Sequence, residues 1–438
     1  QTPRPAALRA ALRAAVLGVA ALGGVSNGDP ATTARTSTSR TSPGKRPPPS
    51  FPVPPDVRPA GCGDEVTDPD GRNFSDLKVS IIIPYKKEKW QHIKASLESI
   101  LYYTPKRYLA EIMFVSDGNG PDTLYVAELQ RMSRLVTIFA LPPPGVGLIE
   151  AKMRAVGATS VHSTVLMFLE PHIRVNRAWL TPLLRRIRLN PQLLAMPALD
   201  PIPADDFNAY FAATAGVWRF EWNLNLVYTA PSSTLQVGKP TTPWPSPATS
   251  GGIFAIRKDW WNRLSFYDHG MIGWGGDHVE ATFKVWLCGG RIEIVPCSRV
   301  GHMFREPVSR PYDVEVEQVI RNYGRMAKTW FGEHIQYFYK VKPEAEAMDT
   351  GNITEQLELK DRLQCKDMSW YLEHVDPELN WEKDHICIPG CEKTVSPECC
   401  DLPGWPGRST LDRIMPEAEY DASSRRSEVL SPAARQEL

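Results

Sequence analysis

The stretch Val79-Ser80-Ile81-Ile82-Ile83-Pro84, followed from Trp90 to Tyr102 by apolar residues at helical spacing (Ile93, Leu97, Ile100, Leu101), decides the fold. A continuous apolar run with no polar alternation suits a strand buried on both faces. The pattern then repeats. Glu111-Ile112-Met113-Phe114-Val115 reads as a second strand, ending in Ser116-Asp117-Gly118, and Tyr125 to Leu135 as a helix. Leu135 to Ala140 is a third strand, Leu148 to Ala158 a helix, Val165 to Leu169 a fourth strand, and Trp179 to Leu189 a helix. Alternating βαβ units with short connections predict an α/β fold with a mostly parallel sheet covered on both faces. Farther on, Gly252 to Ile256 reads as a strand and His278 to Cys288 as a helix. An aromatic run from Phe207 to Tyr228 and a Pro-rich stretch from Pro240 to Pro247 are irregular.

Straight after the fourth strand stand Glu170-Pro171-His172. Residues at i and i+2 of an extended segment point the same way, and Pro171 biases Glu170 toward extended backbone. A carboxylate and an imidazole therefore leave a strand end together, where open α/β sheets bind ligands. A second histidine, His302, follows another apolar run, Ile292 to Cys297. One carboxylate oxygen with one or two imidazoles suits a borderline divalent ion such as Mn²⁺, with positions left open for a diphosphate. The ordinary alternative is a pair of hydrogen-bonded surface groups.

Among 438 residues, Lys+Arg and Asp+Glu are equal at 50 each, so no global field favours nucleic acid or an anionic membrane. The length allows two or three average domains. Eight cysteines (Cys62, Cys288, Cys297, Cys365, Cys387, Cys391, Cys399, Cys400) are scattered without the paired C-x-x-C spacing of a zinc site. Their even number is compatible with disulfides in an oxidising compartment. The sequons Asn73-Phe74-Ser75 and Asn352-Ile353-Thr354 agree with that compartment.

Residues 1–25 carry Arg4, Arg9 and Arg13 ahead of the uncharged stretch Ala14 to Val25. Roughly a dozen apolar residues fit a signal peptide or signal anchor better than a ~20-residue span, the alternative being a disordered leader. Residues 26–54 form a Pro/Ser/Thr-rich stem with almost no large apolar group to offset its ordering entropy. Residues 55–378 hold the ordered pattern. Residues 379–438 form a Cys-containing tail, either disulfide-tied or disordered, that ends in Arg435-Gln436-Glu437-Leu438, which is similar to endoplasmic-reticulum retention signals.

Several motifs together resemble the polypeptide N-acetylgalactosaminyltransferases. Pro55-Asp56-Val57-Arg58 with Cys62 resembles the start of that family's catalytic domain. Ser80 to Tyr85 through Glu88 and Trp90 resembles its first strand and loop, and Phe168-Leu169-Glu170-Pro171-His172 its Asp-x-His metal motif. Gly251-Gly252-Ile253-Phe254 resembles its Gly-Gly-Leu-Phe, Trp274-Gly275-Gly276-Asp277 its Trp-Gly-Gly-Glu, and Val300-Gly301-His302-Met303-Phe304-Arg305 its Val-Gly-His-Val-Phe-Arg. Leu363 to Lys366 and Trp370 to Glu373 resemble the end of its catalytic domain. The similarity covers roughly residues 55 to 375.

The resemblance implies a GT-A glycosyltransferase fold, Mn²⁺ and a UDP-sugar donor, a Ser/Thr-containing polypeptide acceptor, and a Golgi or endoplasmic-reticulum lumen. It implies Glu170, His172 and His302 as metal ligands. Arg305 is implied as a phosphate contact, with a surface ion pair as the alternative, and Asp117 as a uracil or ribose contact, with a plain turn as the alternative. Tyr85 packs on the base or in the core, Lys86 and Gly252 belong to the donor site, and Trp274 forms a lid or a core wall. Asp277 is a catalytic candidate or a solvated helix start. Cys62 is expected to pair with Cys297 and Cys288 with Cys365. Each pair closes a long loop, and on chain-entropy grounds stabilises by roughly 4–5 kcal/mol.

Departures from the family pattern cluster at the donor site. Glu170 stands for Asp, Ser116 for the first of two Asp, Lys86 for His and Asp277 for Glu. The segment Gly145 to Lys152 lacks expected arginines and carries Glu150 instead. The leading expectation is a retaining, Mn²⁺-dependent transfer of N-acetylgalactosamine from UDP to Ser/Thr. Two others stand beside it: an inverting β-transferase with Asp277 as base, because Gly273 to Asp277 also resembles the lid of the β-galactosyltransferases, and an inactive homologue that binds peptide or nucleotide. The tail after Glu373 is too short for the family's ricin-like lectin domain.

Overall fold

The computed structural model describes residues 53–64, 74, 76–230, 239–305 and 312–383. The leader, nearly all of the stem, the sequon at Asn73, the four tail cysteines and the C-terminal tetrapeptide lie outside these residues.

The expected βα alternation is present. Strand β1 (Val79–Tyr85) lies parallel to β2 (Leu109–Asp117), and β2 to β3 (Val136–Leu141). On its other side β1 pairs in parallel with β4 (Val165–Phe168). Ile81, Ile82 and Ile83 are wholly buried, as their unbroken apolar run requires. Each such side chain contributes ~1.5–3 kcal/mol relative to leaving it in water.

Beyond β4 the pairing departs from the parallel expectation. Strand β5 (Ile173–Val175) is followed by β6 (Leu193–Ile202), the hairpin β7 (Val217–Phe220) and β8 (Leu226–Thr229), and the short β9 (Trp244–Pro245). Strands β10 (Phe254–Arg257) and β11 (Arg291–Met303) complete the set among the described residues. The large sheet runs β3-β2-β1-β4-β10-β6-β11-β5, with β9 also on β11. Strand β10 is antiparallel to both β4 and β6, so β6 and β11 run in the direction of β1 to β4. Strands β5, β9 and β10 oppose them. All the same-direction strands therefore open their C-terminal ends on one edge.

Helix ends follow local chemistry. The first helix, Trp90–Tyr103, stops where Thr104 turns extended ahead of Pro105. The second, expected over 125–135, spans only Val126–Met132. There Ser133 is extended and its hydroxyl accepts the Leu135 N–H, giving the backbone a non-helical partner. The helix Leu148–Ala158 matches its expected bounds, and Leu180–Leu189 and Asp277–Leu287 differ by one residue at their ends. Strand β11 continues past Pro296 because its register shifts between Val295 and Arg299. Such an irregularity lets a residue without an N–H sit inside a sheet. The strand consequently reaches far enough to place His302 at the open edge.

Disulfides join Cys62 to Cys297 and Cys288 to Cys365, both of the pairs that the resemblance implies. Helices Val316–Trp330, Thr354–Leu363 and Met368–His374 follow β11. No helix among the described residues is long and apolar enough to cross a membrane.

Candidate metal and nucleotide cleft

At the edge where the same-direction strands end lies a cleft of about 1270 Å³. It gathers every residue that the sequence nominates: Tyr85, Lys86, Asp117, Glu170, His172, Gly252, Trp274, Asp277, His302 and Arg305. Tyr85, Lys86, Asp117, Glu170, His172, His302 and Arg305 come from strand ends or the loops behind them, which is where α/β sheets present ligand-binding groups. Gly252 lies just before β10, Trp274 in the segment ahead of the helix Asp277–Leu287, and Asp277 at that helix's start.

Glu170 sits two residues past β4, His172 just before β5, and His302 on β11 opposite Ile173. One Glu170 oxygen, Oε2, lies 2.9 Å from His172 Nε2 and 3.0 Å from His302 Nε2. One ligand atom from each residue falls within 4.8 Å of the other two. The longer acid fits because its neighbour is glycine. A Cβ on Gly252 would stand 1.9 Å from Glu170 Oε1. His302 Nδ1 is buried without a hydrogen-bond partner among the described residues. An oxygen and two imidazole nitrogens converging on one point fit a divalent ion such as Mn²⁺.

The electrostatics separate the two imidazoles. Burial pushes His172 down, but hydrogen bonds from it to Glu170 and Glu88 outweigh burial and raise it. Burial pushes His302 down, and Glu170 offsets this only in part. Burial pushes the Glu170 carboxyl up, but the two histidines hold it well below the usual carboxylate range.

Behind His172 lies Glu88, a residue whose importance a local sequence reading does not show. Its carboxylate, 3% exposed, accepts from His172 Nδ1 at 3.0 Å, His92 Nδ1 at 2.7 Å and Arg305 Nη2 at 2.6 and 2.7 Å. Burial pushes Glu88 up, and hydrogen bonds from His172 and His92 with the Arg305 charge pull it well below the usual range. The signals in the sequence are its place in the stretch Ser80 to Trp90 that resembles the family's first strand and loop, and the Glu88/His92 spacing of i and i+4 at a helix start. Arg305, expected on a phosphate, is tied here to a carboxylate.

The other nominated residues are engaged as well. Asp117 accepts the Val146 and Gly147 N–H groups at 2.6 and 3.1 Å, which fixes the loop before the helix Leu148–Ala158. Lys86 donates to the Pro144 carbonyl at 2.9 Å and lies 3.7 Å from Asp117. Tyr85 is 3% exposed and donates to the Leu124 carbonyl, and burial pushes its phenol up to about 12. Trp274 is half-buried, and its backbone N–H and C=O bond to the Gln318 amide at 3.3 and 2.7 Å. Asn322, one turn on, holds the Ile272 and Gly275 carbonyls.

Asp277 opens the helix Asp277–Leu287 but is buried, not solvated, and lies 2.9 Å from the ammonium of Lys152. Burial pushes Asp277 up, and the Lys152 charge more than reverses this. Burial pushes Lys152 down, and Asp277 more than restores it. Glu150 is absent from the cleft lining and pairs with Arg154 at 2.6 Å on the exposed helix face. The acid that replaces an expected arginine therefore does not face the cleft, while Lys152 does.

Residues 80–264 match the glycosyl transferase family 2, and residues 233–307 match the N-terminal domain of galactosyltransferase. The chain is similar to the crystal structure of GalNAc-T7 with UDP, GalNAc and Mn²⁺, with a TM-score of 0.68 and 25% identity over 76% of this chain and 62% of that one. The fold is the GT-A fold of the glycosyltransferases. Polypeptide N-acetylgalactosaminyltransferase 4 of Caenorhabditis elegans is 36% identical over 330 residues, which cover 74% of this chain and 54% of that protein. Probable N-acetylgalactosaminyltransferase 8 of Caenorhabditis elegans is 34% identical over 68% of this chain and 72% of its own length. The chain belongs to the polypeptide N-acetylgalactosaminyltransferase family. It spans about half the length of several curated relatives that it matches.

Proposed function

We propose that the chain transfers N-acetylgalactosamine from a UDP-sugar to Ser and Thr hydroxyls of polypeptides, with retention of configuration and with Mn²⁺. One observation carries this reading: in a chain of this family, Glu170, His172 and His302 bring one oxygen and two nitrogens to a single point of the cleft. These three residues would hold the cation. Bound there, a divalent ion supplies Lewis-acid neutralisation of the charge that builds on the departing diphosphate. Arg305 adds a fixed guanidinium beside the same point. Trp274, latched through its backbone, walls the cleft against water. Asp117 and Lys86 shape the loop at the nucleotide end, with Tyr85 and Gly252 forming its floor.

Asp277 bears on the stereochemistry. An inverting transferase needs a free carboxylate base near the acceptor. Asp277 is clamped by Lys152 and held well below the usual carboxylate range, so it is a poor proton acceptor. This supports retention, with the leaving phosphate taking the acceptor proton and Asp277 orienting the Lys152 ammonium.

In this reading residues 55–378 are the catalytic unit, 1–25 a signal segment or anchor, 26–54 the stem, and 379–438 an appendage. The two disulfides and the exposed sequon at Asn352 support a place in the secretory lumen, Golgi or endoplasmic reticulum. The test is titration calorimetry of UDP with Mn²⁺ and then with EDTA, followed by proton NMR of the product formed on a Ser/Thr peptide. Mn²⁺-dependent binding and an α-linkage are expected. Absence of UDP binding in both conditions would overturn the reading in favour of an inactive homologue.

A further inference from the structure

Glu88 lines the cleft but is not one of the three residues whose ligand atoms converge, and its carboxylate ties the start of the first helix to the β4–β5 turn and to the end of β11. It stands just before the helix Trp90–Tyr103. His172 reaches it from the β4–β5 turn, 84 residues away, and Arg305 from beyond β11, 217 residues away. The Lys89 N–H adds a further donor at 3.0 Å. A carboxylate offers about four lone-pair positions, and here all are engaged by donors. An ordinary structural ion pair needs one partner and leaves the rest to water.

The two long-range contacts have a chemical consequence. His172 uses Nδ1 on Glu88, so the ring nitrogen turned toward Glu170 and His302 is Nε2. A carboxylate behind a histidine in this way fixes its tautomer and ring orientation and raises its basicity as a ligand. The same two oxygens fix the Arg305 guanidinium.

We propose that Glu88 is a positioning residue that sets the metal end and the diphosphate end of the cleft at once, through His172 and Arg305. The proposal rests on the reading of the cleft as a Mn²⁺ and UDP site. It goes beyond that reading by assigning the coupling of the two ends to one carboxylate outside the ligand set. A Gln in its place has a single acceptor oxygen and presents an N–H₂ to donors. It therefore loses the donors on one side, either His172 or the pair His92 and Lys89, together with one of the two Arg305 bonds.

The test uses the full chain with saturating UDP, titrated with Mn²⁺ and followed by the electron paramagnetic resonance signal of the free ion. Thermal unfolding is recorded beside it. Glu88→Gln is expected to weaken Mn²⁺ binding by about 10–100-fold, the usual range for a partner behind a metal-ligating histidine. Glu293→Gln unpairs an equally buried carboxylate from Arg186, away from the cleft. It is expected to lower the unfolding temperature while leaving Mn²⁺ affinity within about threefold, the change worth ~0.6 kcal/mol. If Glu88→Gln is not recovered folded, Glu88→Asp, which keeps the charge but not the reach, carries the same criterion. Equal Mn²⁺ affinity in the unsubstituted chain and a folded Glu88 variant would overturn this proposal alone. Failure of the unsubstituted chain to take up Mn²⁺ would overturn the underlying reading and this proposal with it.

Discussion

Two sets of buried charges, one lining the cleft around Glu170 and Glu88 and one in and behind the segment that carries Trp274 and Asp277, are built on opposite plans. On the metal side, acids and imidazoles share partners. One Glu170 oxygen serves two histidines, and one Glu88 carboxylate serves two histidines and an arginine. On the lid side, each acid has its own cation: Asp277 with Lys152, Glu280 with Lys284 at 2.5 Å, and Asp268 with Arg325 at 2.6 and 2.8 Å. Buried charge alone therefore does not mark a reactive site. Lone pairs aimed at a common point do, because such a set is complete only with a cation that several ligands share. One-to-one pairing is what a fold uses to hold a loop.

The comparison can be broken at its metal side with the largest effect. Glu170→Ala or His302→Ala is expected to reduce UDP affinity in Mn²⁺ to the level seen with EDTA, as read by calorimetry. Retained metal-dependent binding in both variants would remove the distinction between the two sets. On the lid side, Asp268→Ala leaves the Arg325 guanidinium buried without its fork partner. Loss of one member of such a pair destabilises by about 3–5 kcal/mol, which denaturant unfolding will show. Metal-dependent UDP binding by the folded fraction is expected to persist.

A smaller effect is expected at the latch. Gln318→Ala removes both hydrogen bonds to the Trp274 backbone. At about 0.5–1.5 kcal/mol per hydrogen bond, donor-sugar KM should rise by roughly threefold to tenfold with little change in unfolding temperature. The smallest effect is a pH drift. Burial pushes the Glu280 carboxyl up to about 7, against the Lys284 charge. Its folded-state value lies above the unfolded one, about 4.3. The folded state thus binds the extra proton, and stability falls as pH rises from about 4.5 through 7. Glu280→Gln removes that loss, so the difference in unfolding free energy should move in favour of the variant between about pH 5 and pH 8.

The metal side was legible in the sequence where neighbours along the chain decide geometry. Glu170 and His172 stand two apart after an apolar strand, and His302 ends another. The first four strands were legible because unbroken runs such as Ile81 to Ile83 have one comfortable place, a sheet covered on both faces. The antiparallel placement of β10 was not, since a short apolar run carries no direction. The roles of Glu88 and Lys152 were also hidden. Their partners lie 84, 217 and 125 residues away, beyond any local period. Helix Val316–Trp330 does bury apolar residues, Ile320, Met326, Ala327 and Trp330; what no local period shows is that its Gln318, Asn322 and Arg325 hold the segment from Asp268 to Gly275.

Gly252 sets which acids the cleft can hold at position 170. With no side chain at 252, position 170 is free to alternate between a shorter and a longer acid. An alanine at 252 would force the Glu170 carboxylate out of its present place, because the new methyl would occupy it. The two positions are therefore sterically coupled, and the glycine is what leaves room for the longer acid at 170.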